Sequence, residues 1–100
     1  MVVFPNAKIN IGLFVTGKRP DGYHNLESIF YPIALHDIVE IIPNPDPKAA
    51  KLTVTHSGIL VPGDPADNLC NKAIRLVQQD FPELPPLLLH LHKHIPMGAG

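Results

Sequence analysis

Between residues 7 and 15 the odd positions are Ala7, Ile9, Ile11, Leu13 and Val15, with Lys8, Asn10 and Gly12 interleaved. A period of two predicts a half-buried strand whose other face carries Lys8 and Asn10 together. Residues 16–25 hold two glycines and a proline, which predicts a loop with a tight turn at Pro20-Asp21-Gly22. Residues 26–35 and 37–43 are rich in Ile, Val, Phe and Tyr and predict two further strands, with Pro32 marking an edge or a bulge. Asn44-Pro45-Asp46-Pro47 interrupts the pattern, residues 51–56 resume it with Leu52 and Val54 inward, and a second Gly/Pro-rich stretch covers 57–66. A hairpin-like meander is the simplest connection of these strands.

The period then changes. Asp67-Asn68 offers an N-cap, and Leu69, Ala73, Val77 and Phe81 follow at intervals of four, with Asn71, Lys72, Arg75 and Gln78 on other faces. This predicts one amphipathic helix, apolar stripe inward, ended by Pro82. Pro85-Pro86 reads as an extended connector and residues 87–95 as a last strand before a glycine turn. The expected fold class is α+β in one domain: a mostly antiparallel sheet with one main helix.

Composition narrows the function classes. An apolar content of 45% over 100 residues suffices for one core, and a net charge of −1 gives no long-range field favouring nucleic acid. Cys70 is the sole cysteine, so no internal disulfide forms. The first residues lack a basic segment followed by an apolar stretch, and runs such as Leu87-Leu88-Leu89 fall far short of the roughly 20 residues a membrane crossing needs. Cytoplasmic residence is the expectation.

Several residue types carry chemistry. Lys8, mid-strand, is either a solvated lysine or a cation that stabilises charge developing on a transferred group. Tyr23 and His24, after a glycine turn, either pack back on the sheet or present a stacking ring and a hydrogen-bonding edge to a flat ligand. Asn68 serves as helix cap, a role compatible with contact to a base. His90, His92 and His94 share one strand face, yet same-face neighbours lie about 7 Å apart, too stretched to converge on a metal at about 2 Å. A solvated polar face opposite Leu87, Leu89 and Leu91 accounts for them, and Cys70 reads as a small core residue. Gly98-Ala99-Gly100 follows a strand and a proline, where a phosphate loop can begin, although it does not match a Walker-type loop.

Four segments, Pro5-Asn6-Ala7-Lys8-Ile9-Asn10, Arg19 through Leu26, Asp67-Asn68-Leu69, and Ile95-Pro96-Met97-Gly98-Ala99-Gly100, occur in that order. Together they resemble the GHMP kinases, the superfamily of galactokinase, homoserine kinase and mevalonate kinase. The resemblance implies a ribosomal protein S5 domain 2-like fold. It also implies transfer of the γ-phosphoryl group of ATP, with Mg2+, to the 2-hydroxyl of a cytidine diphosphate-linked methylerythritol in non-mevalonate isoprenoid synthesis. Lys8 would then be the catalytic cation near the reacting hydroxyl, with Asn10 beside it. Tyr23 would stack on cytosine, His24 would hydrogen-bond it and Phe30 would line the same pocket. Asn68, Leu69 and Lys93 would lie near adenine, and Gly98 and Gly100 would open the phosphate loop. In the family that loop continues into a helix and the aspartate base lies further downstream. Residues 1–100 are therefore expected to be an N-terminal portion, cut within the loop, inactive alone and prone to self-association through surface normally covered. Two rivals remain: a non-enzymatic S5-like nucleic-acid-binding module, which the charge balance disfavours, and a small histidine-rich metal-binding protein.

Overall fold

The computed structural model describes residues 1–64 and 67–98. In chain order the elements are β1 (Val2–Val3), β2 (Asn6–Lys18), β3 (His24–His36), β4 (Ile38–Pro43), β5 (Leu52–Gly58), α1 (Leu69–Asp80) and β6 (Leu87–Lys93). They form a four-stranded sheet in the order β1-β4-β6-β5 and a two-stranded ribbon of β2 and β3. All pairings are antiparallel except β5 with β6, so the expected α+β class with one helix holds.

The alternation over residues 7–15 does produce a strand, but a longer one. β2 and β3 run on to Lys18 and back from His24, so the loop expected over 16–25 shrinks to residues 19–23. The Gly22 amide donates to the Arg19 carbonyl at 3.1 Å and the Arg19 amide to Tyr23 at 2.7 Å, which closes the turn and places His24 within the ladder. Register shifts fall between Asn6 and Lys8, Ile11 and Leu13, and Val15 and Gly17. Pro32 pairs with Lys8 beside the first of these and lies on a two-stranded edge, as its missing N–H requires. The aliphatic face, expected to be half-buried, is open: Ile9, Ile11, Leu13 and Val15 are all exposed.

Two other expectations are overturned. There is no meander from β4 to β5: β6 inserts between them, and the chain passes from β5 through α1 to its parallel neighbour β6. A parallel pair cannot be joined by a tight turn and needs a crossover of this kind. The helix itself starts and stops where its signals say. Asn68 caps it by accepting from the Cys70 amide at 2.9 Å, and Phe81 closes it one residue before Pro82. Its inward face, however, is Cys70, Asn71, Ile74 and Gln78, while Leu69, Ala73, Leu76 and Val77 face out. Polar bonding fixes this orientation, since the Gln78 side-chain amide donates to the Lys51 carbonyl at 2.8 Å. The core centres on β6, where Leu89 and Leu91 are the buried apolar side chains.

Candidate functional site

The site residues read from the sequence fall into three groups. The first lies at the base of the ribbon. The register that pairs Asn10 with Phe30 brings Lys8 within reach of both: its Nζ donates to Asn10 Oδ1 at 3.1 Å and sits 4.8 Å from the centre of the Phe30 ring. A cation held between an amide oxygen and an aromatic face is oriented yet still able to donate further bonds.

The second group is the ribbon tip. Tyr23 and His24 stand exposed just after the turn, where the Tyr23 amide donates to Asp21 Oδ1 at 3.0 Å and Arg19 pairs with Asp21 at 2.6 Å. The structure does not bring the tip into contact with Lys8. His24 pairs with Lys18, ten residues along β2 from Lys8, a span of at most about 33 Å for an unbulged strand. Between the two ends a shallow hollow is lined by Ile11, Phe14, Leu26 and Ile29 together with Glu27 and Ser28. The bulge at Gly12, which has φ +71°, lies there and bends the ribbon.

The third group sits at the carboxyl ends of the parallel pair β5 and β6, a place where open sheets commonly receive ligands. Gly58 faces Lys93 across that pair. With φ +81° and the Lys93 carbonyl oxygen where a Cβ would stand, no other residue fits position 58. Lys93 Nζ donates to Asp37 Oδ2 at 2.6 Å, and Asp37 Oδ1 accepts from the amides of His94 and Ile95 at 2.7 and 2.8 Å. Burial alone would raise the Asp37 pKa. Hydrogen bonds from Ile95, Lys93 and His94, with the Lys93 charge, more than offset it and hold the carboxyl below its ordinary value. Cys70, on the first turn of α1, feels the same pair. Burial first and the Asp37 charge second push its thiol up. Gly98 follows in a turn with φ +75° and open space around its Cα. Gly100 lies outside the described residues.

Sequence reasoning missed Asp37. Its partners are 56 to 58 residues away, so no local pattern marks it.

The histidines are not simply a solvated face. Thr55 Oγ1 lies 2.8 Å from His90 Nδ1, Ser57 Oγ lies 2.9 Å from His90 Nε2 and 2.7 Å from His92 Nδ1, and His92 Nε2 lies 3.1 Å from His94 Nε2. His94 Nδ1 lies 3.3 Å from the His36 carbonyl, which can only accept. With neutral rings that one acceptor assigns the whole chain: Nδ1–H on His94, then Nε2–H on His92 and on His90. Both ring nitrogens of each are then engaged by protein groups. Among the described residues no three His, Cys, Asp or Glu side chains gather as metal ligands.

The fold is α+β, mostly strands with one helix, and the proteins it is similar to are kinases. The particular relatives are narrower than that class. The chain is 54% identical over all of its 100 residues to 4-diphosphocytidyl-2-C-methyl-D-erythritol kinase of Bacteroides fragilis, and 55% identical over 101 aligned positions to the same-named protein of Cytophaga hutchinsonii. A crystal structure of 4-(cytidine 5'-diphospho)-2C-methyl-D-erythritol kinase superposes on 98% of the chain with a TM-score of 0.70 at 28% identity. The chain spans 36% and 35% of the two relatives and 33% of the solved one, so it is homologous to about a third of such a kinase. No family model matches it. No helix among the described residues is long and apolar enough to cross a membrane.

Proposed function

We propose that this chain is the N-terminal, acceptor-recognising part of an ATP-dependent kinase that phosphorylates the 2-hydroxyl of 4-diphosphocytidyl-2-C-methyl-D-erythritol for isoprenoid synthesis in the cytoplasm. One observation carries the proposal: an alignment covering all 100 residues is 54% identical to a kinase of that name. In this reading Tyr23 stacks on the cytosine, His24 hydrogen-bonds its edge, and the ligand runs along the ribbon toward Phe30, Asn10 and Lys8. The Lys8 ammonium stabilises charge at the reacting oxygen. Asn68, Leu69 and Lys93 flank the adenine.

ATP fits the third group. Gly98 adopts φ +75°, a left-handed backbone suited to glycine, and turns of this kind can direct backbone N–H groups at a phosphate; in this reading Gly100 continues the loop. ATP supplies the transferred phosphoryl group; this chain's part is to hold it and to keep Lys8 oriented. Among the described residues no three His, Cys, Asp or Glu side chains gather where Mg2+ could be held.

A phosphoryl-transfer assay on the chain with ATP and the cytidine diphosphate-linked substrate is expected to read background, because general base and full phosphate loop each contribute factors of about a hundred or more. Robust turnover by these 100 residues would overturn the assignment of the base to residues beyond them.

A further inference from the structure

Asp37 is the single residue between β3 and β4, where the ribbon joins the four-stranded sheet. On the facing strand Pro5 stands between β1 and β2. The Asp37 amide donates to the Pro5 carbonyl at 3.0 Å, but proline has no N–H to return the bond. The joint is therefore held by half of the usual pair of ladder bonds. The carboxylate of Asp37, a residue 8% exposed, supplies the missing restraint from the other side. Through Lys93, His94 and Ile95 it grips both the end of β6 and the first two residues of the loop that follows. Two further contacts, His94 Nδ1 to the His36 carbonyl at 3.3 Å and His36 Nδ1 to the Phe4 carbonyl at 3.2 Å, reinforce the same junction.

We propose that Asp37 is a positioning residue that sets the orientation of the ribbon bearing Lys8, Asn10 and Phe30 relative to the loop that begins at His94. Its purpose rests on the kinase reading above, since phosphoryl transfer requires acceptor and phosphate groups to be held in one geometry. The restraint itself rests only on the contacts of this chain.

The test is nuclear magnetic resonance on the whole chain and on Asp37→Asn and Asp37→Ser. Residual dipolar couplings report whether residues 6–36 share one orientation with residues 38–58 and 87–93, and amide exchange reports the grip on His94 and Ile95. In the parent chain one alignment tensor is expected to fit both parts. Asp37→Ser, too short to reach both amides, is expected to split the tensors and to speed exchange at His94 and Ile95 at least tenfold more than at Leu89 and Leu91. Asp37→Asn keeps an acceptor oxygen at the Oδ1 position and is expected to restore the single tensor. Parallel acceleration at all four amides with one tensor in every variant would show a merely stabilising residue and overturn the proposal. Should Asp37→Ser fail to fold, separate tensors in the parent chain, or in Asp37→Asn, would overturn it equally. None of these readouts requires nucleotide or turnover, so they stand or fall apart from the kinase reading.

Discussion

Asp37 shows how a single carboxylate links charge to stability. Its ionised form takes three hydrogen bonds in the folded chain, and its pKa is held below the ordinary value. A depressed folded pKa means that the stabilisation is fully present above the unfolded value of about 3.9 and is lost as pH falls through the lower, folded value. Resistance to urea unfolding is therefore expected to fall below about pH 4, with Asp37→Asn flattening that part of the curve. An acid limb identical in parent and variant would contradict the pairing. Lys8 carries the opposite lesson. Its position on the polar strand face was legible from alternation, and so was its neighbour Asn10, because a two-residue spacing alone puts them side by side. Phe30, 22 residues later, joins them only through ribbon register, and that join was supplied by family resemblance, not by pattern.

At the scale of elements, what was legible is what local chemistry decides. The Asn68 cap and Pro82 bracket α1, and turn residues at 20–22 bracket the ribbon tip. Strand order was not legible, because β5 and β6 pair across a crossover and nothing within either segment encodes a parallel neighbour. The covered face of α1 was misread for a related reason. Leu69, Ala73 and Val77 form the more apolar stripe, yet Asn71, Ile74 and Gln78 meet the sheet, and Gln78 is tied to Lys51. Gly58 is the element-level position most exposed to substitution. Gly58→Ala combines a left-handed backbone with a collision at the Lys93 carbonyl, each a penalty of about 1–3 kcal/mol. A marked fall in the urea midpoint is expected, together with displaced resonances for Lys93. An unchanged midpoint would show that β5 and β6 do not approach as described.

Taken whole, the chain is open. Its accessible surface is 7406 Å², against about 5,600 Å² for a folded monomer of this mass. Its radius of gyration is 16.9 Å, against about 13 Å for a domain of 100 residues. The excess lies on the ribbon and on the outer stripe of α1, where Ile11, Phe14, Ile29, Phe30, Leu69 and Leu76 are more than half exposed. In the proposed reading the remainder of a kinase polypeptide covers these faces. The chain by itself is then expected to bind a hydrophobic dye and to sediment with a concentration-dependent mass; a dye-silent monomer would mean that these faces are closed in solution. In the proposed reading the ribbon receives a cytidine diphosphate-linked acceptor while the turn after β6 receives ATP phosphates. Mapping amide shifts during separate titrations with the two ligands tests it most directly. The acceptor is expected to move Tyr23, His24 and Phe30, with affinity falling by about 1–3 kcal/mol in Tyr23→Ala, and ATP is expected to move Ile95, Met97 and Gly98. No shift at millimolar ligand, or both ligands moving only the His90–His92 face, would contradict it.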